Sequence, residues 1–276
     1  MGQETRRALT RTGGFLKGFA FSINPYIGCA FGASRGCPFC YVRALPVASV
    51  HSGRWGNWVI AKTNLPELLE KELRQLAHKG RLADTTIFMS SATDPYQGYE
   101  RTMKLSRSAL ELFARFPPRR LLVQTRSPMI ERDIDLLQQL GRTVIASITI
   151  ETDDDSVRRA ITPTSASVAR RILTAQRLRA VGIYTQIAIA PMLPNRPDRF
   201  AAMVDGSADR VIVDTYFDGD GSKGRRTRAL GIEELYSRLG YQGWFRPGAQ
   251  AKLVAALSKR LGAERVLFSQ QGFSAL

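Results

Sequence analysis

Residues 144–151, Val144-Ile145-Ala146-Ser147-Ile148-Thr149-Ile150-Glu151, read as a β-strand with two different faces. Side chains of a strand alternate sides, so Val144, Ala146, Ile148 and Ile150 present one apolar side for helices to cover. The other side, Ile145, Ser147, Thr149 and Glu151, turns polar toward its C-terminal end. Gln124 and Arg126 share a face in the same way within 120–126, as do Tyr184 and Gln186 within 183–191. A sealed barrel of strands fills its centre with Val, Ile and Leu. A polar lining implies that something polar sits inside.

Working outward, the chain alternates short apolar or β-branched runs with longer amphipathic stretches, the pattern of repeated β-α units on a parallel sheet. Strands are expected at about 20–26, 85–92, 120–126, 142–150, 183–191 and 209–216. Helices are expected at 64–79, closed by Gly80; at 102–116, stopped by Pro117-Pro118; at 128–140, closed by Gly141; and at 165–181, ending before Gly182. Shorter helical segments follow Cys37 and Pro197, and the tail offers helices at 229–239 and 248–261 with a strand at 264–268. Six β-α units with a long first insertion fit a partial (β/α)6 barrel of TIM type better than a complete eight-unit barrel. The expected organisation is a basic N-terminal extension (1–19), a single barrel domain (20–216), and a C-terminal helical extension packed on it (217–276).

The chain has 276 residues, 44% of them hydrophobic, enough for one barrel-sized core. No apolar run reaches the roughly 18 residues a membrane span needs, and the first residues lack the apolar core of a secretion signal. The reading is a soluble cytoplasmic monomer.

All three cysteines fall in residues 24–45, NPYIGCAFGASRGCPFCYVRAL, spaced Cys29-x7-Cys37-x2-Cys40. Soft thiolates at short spacing suit an iron–sulfur cluster, and three of them leave one iron of a four-iron cubane open to a small chelating molecule. Gly28, Gly36 and Pro38 suit a loop that bends closely around such a group. A structural zinc held by Cys29, Cys37, Cys40 and His51 is the alternative. A disulfide reading is weaker, since three is odd and no secretory signal precedes them.

Asn24-Pro25-Tyr26-Ile27-Gly28-Cys29 and Gly36-Cys37-Pro38-Phe39-Cys40-Tyr41 resemble the cluster loop of radical S-adenosylmethionine (radical SAM) enzymes, in the branch that includes spore photoproduct lyase. Further matches follow in order: Ser90-Ser91-Ala92-Thr93-Asp94-Pro95-Tyr96-Gln97, Thr125-Arg126-Ser127, Glu131-Arg132-Asp133-Ile134-Asp135, Ala146-Ser147-Ile148-Thr149 and Ile189-Ala190-Pro191-Met192-Leu193-Pro194. The family usually places three residues, not seven, between its first two cysteines. The resemblance implies a [4Fe-4S] cluster on Cys29, Cys37 and Cys40, S-adenosylmethionine (SAM) on the open iron, and reductive cleavage to a 5′-deoxyadenosyl radical that abstracts hydrogen from a substrate. It implies an electron donor such as flavodoxin or ferredoxin.

Under that resemblance Ser90, Ser91 and Thr93 stand where many members carry Gly-Gly-Glu and meet the SAM ammonium. Ser147 and Thr149 meet the ribose, Arg126 or Arg170 pairs with the SAM carboxylate, and Tyr41 packs near the adenine or the cluster. Asp94, Tyr96 and Tyr99 are the candidates for reaching the substrate; Asp94 before Pro95 also reads as a turn former. Spore photoproduct lyase uses a further cysteine as hydrogen donor, and none remains here, so the same repair reaction is not expected. A second cluster is not expected either.

Forty Lys and Arg against 24 Asp and Glu give a formal +16 and a pI near 10.4. That excess favours a polyanion such as nucleic acid as partner or substrate, or reflects solvated arginines on helix faces. The cluster Lys223-Gly224-Arg225-Arg226-Thr227-Arg228 lies in a Gly/Asp-rich loop rather than on a helix. Three functions follow: a radical SAM enzyme on nucleic acid or a nucleotide-like substrate, one on a small metabolite or peptide, or a basic nucleic-acid-binding protein with a zinc.

Overall fold

A computed structural model describes residues 1–31 and 36–274. Its strands are β1 (Gly2–Gln3), β2 (Leu9–Arg11), β3 (Phe21–Ile23), β4 (Tyr26–Gly28), β5 (Val59–Lys62), β6 (Thr86–Met89), β7 (Arg120–Thr125), β8 (Val144–Thr149), β9 (Thr185–Ile189), β10 (Arg210–Val213) and β11 (Val266–Phe268). The larger sheet has eight strands in the order β11-β10-β9-β8-β7-β6-β3-β2. Six of them, β3 and β6 to β10, run parallel in chain order, as a partial (β/α)6 barrel requires. β11 adds in parallel at one edge, and β2 adds antiparallel at the other.

Alternation within the strands builds two cores. Ile87, Met89, Leu121, Val123, Val144, Ala146, Ile148, Ile187, Ile189, Val211 and Val213 face the helices in the major cluster. The opposite faces supply Phe88, Leu122, Ile145, Ala188 and Ile212, which meet Phe19 and Phe273 in a separate apolar layer inside the barrel. The lumen is therefore not polar throughout. An apolar floor closes it, and polar residues begin above that floor.

The expected first strand is divided. Pro25 lacks the N–H a sheet ladder needs, so β3 ends at Ile23 and the chain enters a second sheet, β1-β5-β4, in which β4 pairs antiparallel with β5. Helices Leu65–His78, Leu105–Arg115, Val168–Ala180 and Ala251–Leu261 stand close to their expected places. The stretch 128–140 begins as a 3-10 turn, Pro128–Asp133, before the helix Ile134–Leu140, and 102–116 is interrupted at Lys104, whose φ of +52° is left-handed. Helix Asp155–Ile161, capped by Asp154 accepting from the Ser156 N–H (2.8 Å), has no counterpart in the sequence reading.

Both termini are worked into the sheets. Residues 1–19 supply β1 and β2. In the tail, helix Ser269–Ser274 seats Phe273 in the floor, 5.8 Å from the Phe15 ring, and Gln270 donates to the Gly14 carbonyl (2.7 Å). These contacts lie between the two unpaired sheet edges, β2 and β11. No helix among the described residues is long and apolar enough to cross a membrane.

Candidate active site

The chain leaving β3 passes through β4 and reaches Cys29 directly after Gly28, whose φ is +83°. A Cβ on Gly28 would stand 2.5 Å from the Trp58 ring, so only glycine lets the backbone pass. Cys37 and Cys40 close a turn in which the Cys40 N–H donates to the Cys37 carbonyl (3.1 Å). All three cysteines are half-buried and free. Burial, and next the charge of Cys37, pushes the Cys29 thiol up to about 12. Burial raises Cys37 to about 11 against the pull of Arg126. Cys40 is raised too, burial being opposed by N–H donors from Val42 and the Trp55 indole.

Among the described residues no three His, Cys, Asp or Glu side chains converge closely enough for a single metal ion. A lone zinc draws its sulfurs to about 2.3 Å from one centre; a cubane spreads its ligands over several irons. His51 faces other partners, its Nδ1 accepting from the Gly53 N–H (2.8 Å) and its ring stacked 5.0 Å from Trp58.

The loop after β6 clamps the cysteine loop. The Thr93 hydroxyl donates to the Gly28 carbonyl (2.6 Å) and accepts from Gln97 Nε2 (3.0 Å), while Gln97 Oε1 accepts from the Ala30 N–H (2.9 Å). Asn24 accepts from the Ala92 N–H (2.8 Å) and donates to Ser91 Oγ (3.2 Å); the Tyr41 hydroxyl donates to the Ser91 carbonyl. Thr93, Ser91 and Tyr41 thus brace the two loops. Ser90 differs: it is buried, left-handed at φ +76°, and its Oγ has no partner. A non-glycine residue held there costs about 1–3 kcal/mol and marks a site the surroundings over-determine.

Asp94 is a structural clamp in this fold. Its Oδ1 accepts from the Tyr96 N–H (2.9 Å) and the Thr125 hydroxyl (2.6 Å), and its Oδ2 from the Arg126 N–H (2.8 Å). Tyr96 and Tyr99 do not reach the lumen. Tyr96 is buried in the outer core with Arg132 over its ring, and Tyr99 packs on Tyr26 with its hydroxyl accepting from the N-terminal ammonium (3.2 Å). Both follow a turn that carries the chain out of the barrel toward helix Leu105–Arg115.

Arg170 also points away, pairing with Glu131 on the helical side. Arg171 is the inward arginine: it shares the apolar helix face with Val168, Ala175 and Leu178, and it is wholly buried. Its Nη1 donates to Glu151 (2.6 Å) and to the Thr149 carbonyl (2.6 Å). Glu151, also wholly buried, takes a second bond from Arg126 Nε (2.6 Å). Burial would raise the Glu151 carboxyl, but Arg171 and Arg126 hold it below the usual range. Arg126 lies over the Phe39 ring (5.9 Å), between Cys37 and Cys40, so this ion network abuts the cysteine turn.

Four buried polar atoms without hydrogen-bond partners lie on inward faces near the strand ends: Ser90 Oγ after β6, Gln124 Oε1 on β7, Thr149 Oγ1 on β8 and Asp214 Oδ1 after β10. Ser147 is already used, accepting from Gln186 Nε2 (2.8 Å). Unpaired buried polar atoms cost about 1–3 kcal/mol each, and four in one lumen indicate a polar ligand there.

The family model of the radical SAM superfamily matches residues 23–205. The chain belongs to the radical SAM superfamily. It is 31% identical over 184 residues to an uncharacterized protein of Methanocaldococcus jannaschii, covering 66% of this chain and 64% of that one. It is 29% identical over 183 residues to an uncharacterized protein of Acidianus two-tailed virus, covering 63% and 56%. The match thus spans between about half and two thirds of these relatives' lengths. Among solved structures it resembles spore photoproduct lyase complexed with dinucleoside spore photoproduct, with a TM-score of 0.67 and 14% identity over 97% of this chain and 81% of that one. It also resembles SuiB of Streptococcus suis bound to the precursor peptide SuiA, with a TM-score of 0.51 and 16% identity over 79% and 46%.

The residues present fit the groups that a radical SAM protein carries. Three soft sulfur donors stand at one rim of the lumen, and the unpaired atoms of Ser90, Gln124 and Thr149 stand on successive strands beside it.

Asp214 is the lumen residue the sequence reading missed. Its signal is alternation: Val211 and Val213 face the helices, Ile212 lies in the floor, and Asp214 is the next inward position. Gly219 leaves room for its carboxyl, since a Cβ there would meet Oδ2 at 2.1 Å. Burial, against hydrogen bonds from Ser269 and Thr215 and helped by Asp218 and Asp220, pushes Asp214 up to about 7. The native carboxyl holds its proton up to that pH, whereas the unfolded one releases it near 3.9. Between those values the native state binds more protons, so stability falls as pH rises and levels off above 7. Asp214→Asn removes a penalty of about 2–4 kcal/mol at pH 8.5. Thermal melts should show the variant gaining on the parent at pH 8.5 but not at pH 4; an equal difference at both would count against this account.

Proposed function

We propose that this chain is a radical SAM enzyme whose Cys29, Cys37 and Cys40 hold a [4Fe-4S] cluster with an open iron for SAM, and that its substrate is nucleic acid or nucleotide-like. When bound, cluster and SAM supply one-electron cleavage of a sulfonium C–S bond and hydrogen abstraction from the substrate. The observation that carries the reading is the coincidence, at one rim of an open barrel, of all three cysteines with unpaired polar atoms on three neighbouring strands.

The chain's own residues have separable tasks. Ser90 presents its free hydroxyl to the SAM ammonium, and Thr149 its own to the ribose. Arg126, gripped through Nε by Glu151, holds positive charge for the SAM carboxylate beside Cys37. The apolar floor of Phe88, Leu122, Ile145, Ala188, Ile212 and Phe273 keeps water from the lower lumen, which protects a reactive species above it. A protein electron carrier such as flavodoxin or ferredoxin supplies the electron.

The nucleic-acid reading is supported by the +16 charge and by the loop after β10. There Asp220 accepts from the N–H groups of Ser222 (2.7 Å), Gly224 (3.0 Å) and Thr227 (3.1 Å), a turn that leaves Lys223, Arg225 and Arg226 exposed. Contrary to the loop expected for the whole cluster, Arg225, Arg226 and Arg228 stand on a short helix, Arg225–Ala229, which this turn begins and which packs on Tyr41–Ala44, directly after Cys40. Anaerobic reconstitution tests the proposal: about four irons and four sulfides per chain, and 5′-deoxyadenosine formed from SAM with dithionite. One tightly bound zinc and no iron would refute it. Stimulation by DNA or RNA, with affinity falling steeply between 50 and 200 mM salt, supports the substrate class; stimulation only by a peptide or metabolite pool excludes it.

A further inference from the structure

Asp214 has no task in the cofactor site. Ser90, Gln124 and Thr149 stand beside one another, after β6 and on β7 and β8, at the cysteine rim. Asp214 follows β10, and the inward residues between, Ala188 on β9 and Ala190 just after it, are small and carry no polar side-chain atom. Its backbone is fixed: the Asp214 N–H donates to the Ile189 carbonyl (3.0 Å), and its carbonyl accepts from the Met192 N–H (2.8 Å). The residue is 6% exposed, and its Oδ1 has no partner. The next two carboxylates along the chain are occupied. Asp218 Oδ2 accepts from the Thr215 hydroxyl (2.5 Å), and Asp220 closes the turn that exposes Lys223 and Arg225. Asp214 differs, because its unpaired oxygen is buried one inward position above Ile212, over the apolar floor.

We infer that Asp214 reads the substrate: a base turned into the lumen lies over the apolar floor and donates an N–H to Oδ1, while the adjoining phosphates rest on Lys223 and Arg225. The inference rests on the nucleotide reading above and names the part of the ring that is recognised. Three observations fit one occupant. The floor of Phe88, Leu122, Ile145, Ile212 and Phe273 offers an apolar bed for a planar ring. Ala188 and Ala190 put only methyl groups between the inward faces of β8 and β10. One continuous segment, 214–225, carries the buried acceptor at its start and exposed cations at its end, which suits a molecule with N–H groups at one end and phosphate at the other. Either protonation state of the carboxyl leaves an oxygen that can accept. A site built to receive an N–H rejects an analogue lacking it, because the buried acceptor is then left unpaired.

Binding is measured by fluorescence anisotropy on the anaerobically reconstituted protein, with SAM and without reductant. The probes are short single strands of DNA bearing one base, adenine, cytosine, guanine or thymine, in an otherwise abasic backbone, and the same strands with the donor N–H groups of that base methylated. The parent should bind at least one base-bearing strand about tenfold or more tighter than its methylated counterpart. Asp214→Leu, which keeps the branched shape and removes both oxygens, should bring the two within about twofold, whereas Asp214→Asn, which keeps an acceptor, should retain part of the preference. Lys223→Ala should instead weaken all strands alike and lower the salt dependence. A parent that binds both kinds of strand equally, or an Asp214→Leu protein that keeps the full preference, overturns the inference; Asp214→Ala is read in the same way should the leucine variant not fold. A parent with full iron and sulfide that takes up no strand overturns the nucleotide reading and the role of Asp214 together while leaving the cluster standing. A parent that takes up neither iron nor sulfide overturns the cluster and, with it, the inference.

Discussion

Reconstituted Cys37→Ala should form no 5′-deoxyadenosine above the protein-free background, a loss of at least about a thousandfold, while its thermal midpoint as apo-protein stays within a few degrees of the parent. The asymmetry follows from where the residue sits. Cys37 is half-buried at the edge of the aromatic cluster of Phe39, Tyr216, Tyr236 and Phe245, so deleting one sulfur atom removes little packing. Under the proposed cluster assignment the same deletion removes one of three sulfur ligands, and two thiolates do not fix a cubane with one open corner. Under a structural-zinc reading the result inverts, because such a site contributes folding energy outright. A Cys37→Ala protein that unfolds in step with metal loss, with no iron chemistry to lose, would reject the radical SAM assignment of these cysteines.

Glu151→Gln should destabilise the protein by about 3–5 kcal/mol, the range for removing one partner of a buried ion pair. For a chain of this size that is roughly 10 °C in thermal midpoint. Gln keeps the shape and loses the charge, so Arg171, with no exposed surface, is left without its carboxylate. Two of its nitrogens, Nε and Nη2, already lack partners. Arg126 also keeps only a neutral amide oxygen at its Nε in place of the carboxylate, a weaker anchor beside Cys37, so affinity for SAM should fall as well. Pairing Glu151→Gln with Arg171→Met should recover part of the stability, because the unpaired charge is gone. It should not recover SAM affinity in full, because the amide oxygen holds Arg126 without the charge of a carboxylate. Differential scanning fluorimetry and equilibrium dialysis with SAM read the two effects separately, and a single variant that melts within 2 °C of the parent would rule out this ion-network account.

Much of the barrel was legible in the chain because each strand writes both of its faces. Val144 to Ile150 and Val211 to Val213 carry an outward apolar set that only a helix-covered sheet accommodates, and the Gly and Pro stops at 80, 117 and 141 mark where helices give way. The split of the first strand at Pro25 was legible in principle, since proline cannot join a central ladder. The strands β1, β2 and β5 were not, because two to four residues have no period to read.

The site was legible as a list more than as an arrangement. Ser90, Thr149 and Arg126 stand on the lumen at the cysteine rim, whereas Tyr96, Tyr99 and Arg170, neighbours in sequence to lumen residues, face elsewhere; Asp94 lies near enough to Cys29 and Cys37 for its charge to raise both thiols, with its oxygens taken up by Tyr96, Thr125 and Arg126. One residue of offset reverses the side of a strand, and turns after a strand end do not preserve the alternation. Arg170 and Arg171 are chemically identical in the chain; only helix phase against the sheet makes one a surface partner of Glu131 and the other the buried partner of Glu151.

By itself the chain determined its class of architecture and the gathering of its three cysteines in one short loop, because periodicity and cysteine spacing are local and survive without coordinates. Tertiary structure alone decided which polar atoms are left unsatisfied inside the barrel and which carboxylate neutralises which arginine. These are pairings between segments far apart in sequence, set by packing and by the cost of burying charge, and no local pattern encodes them.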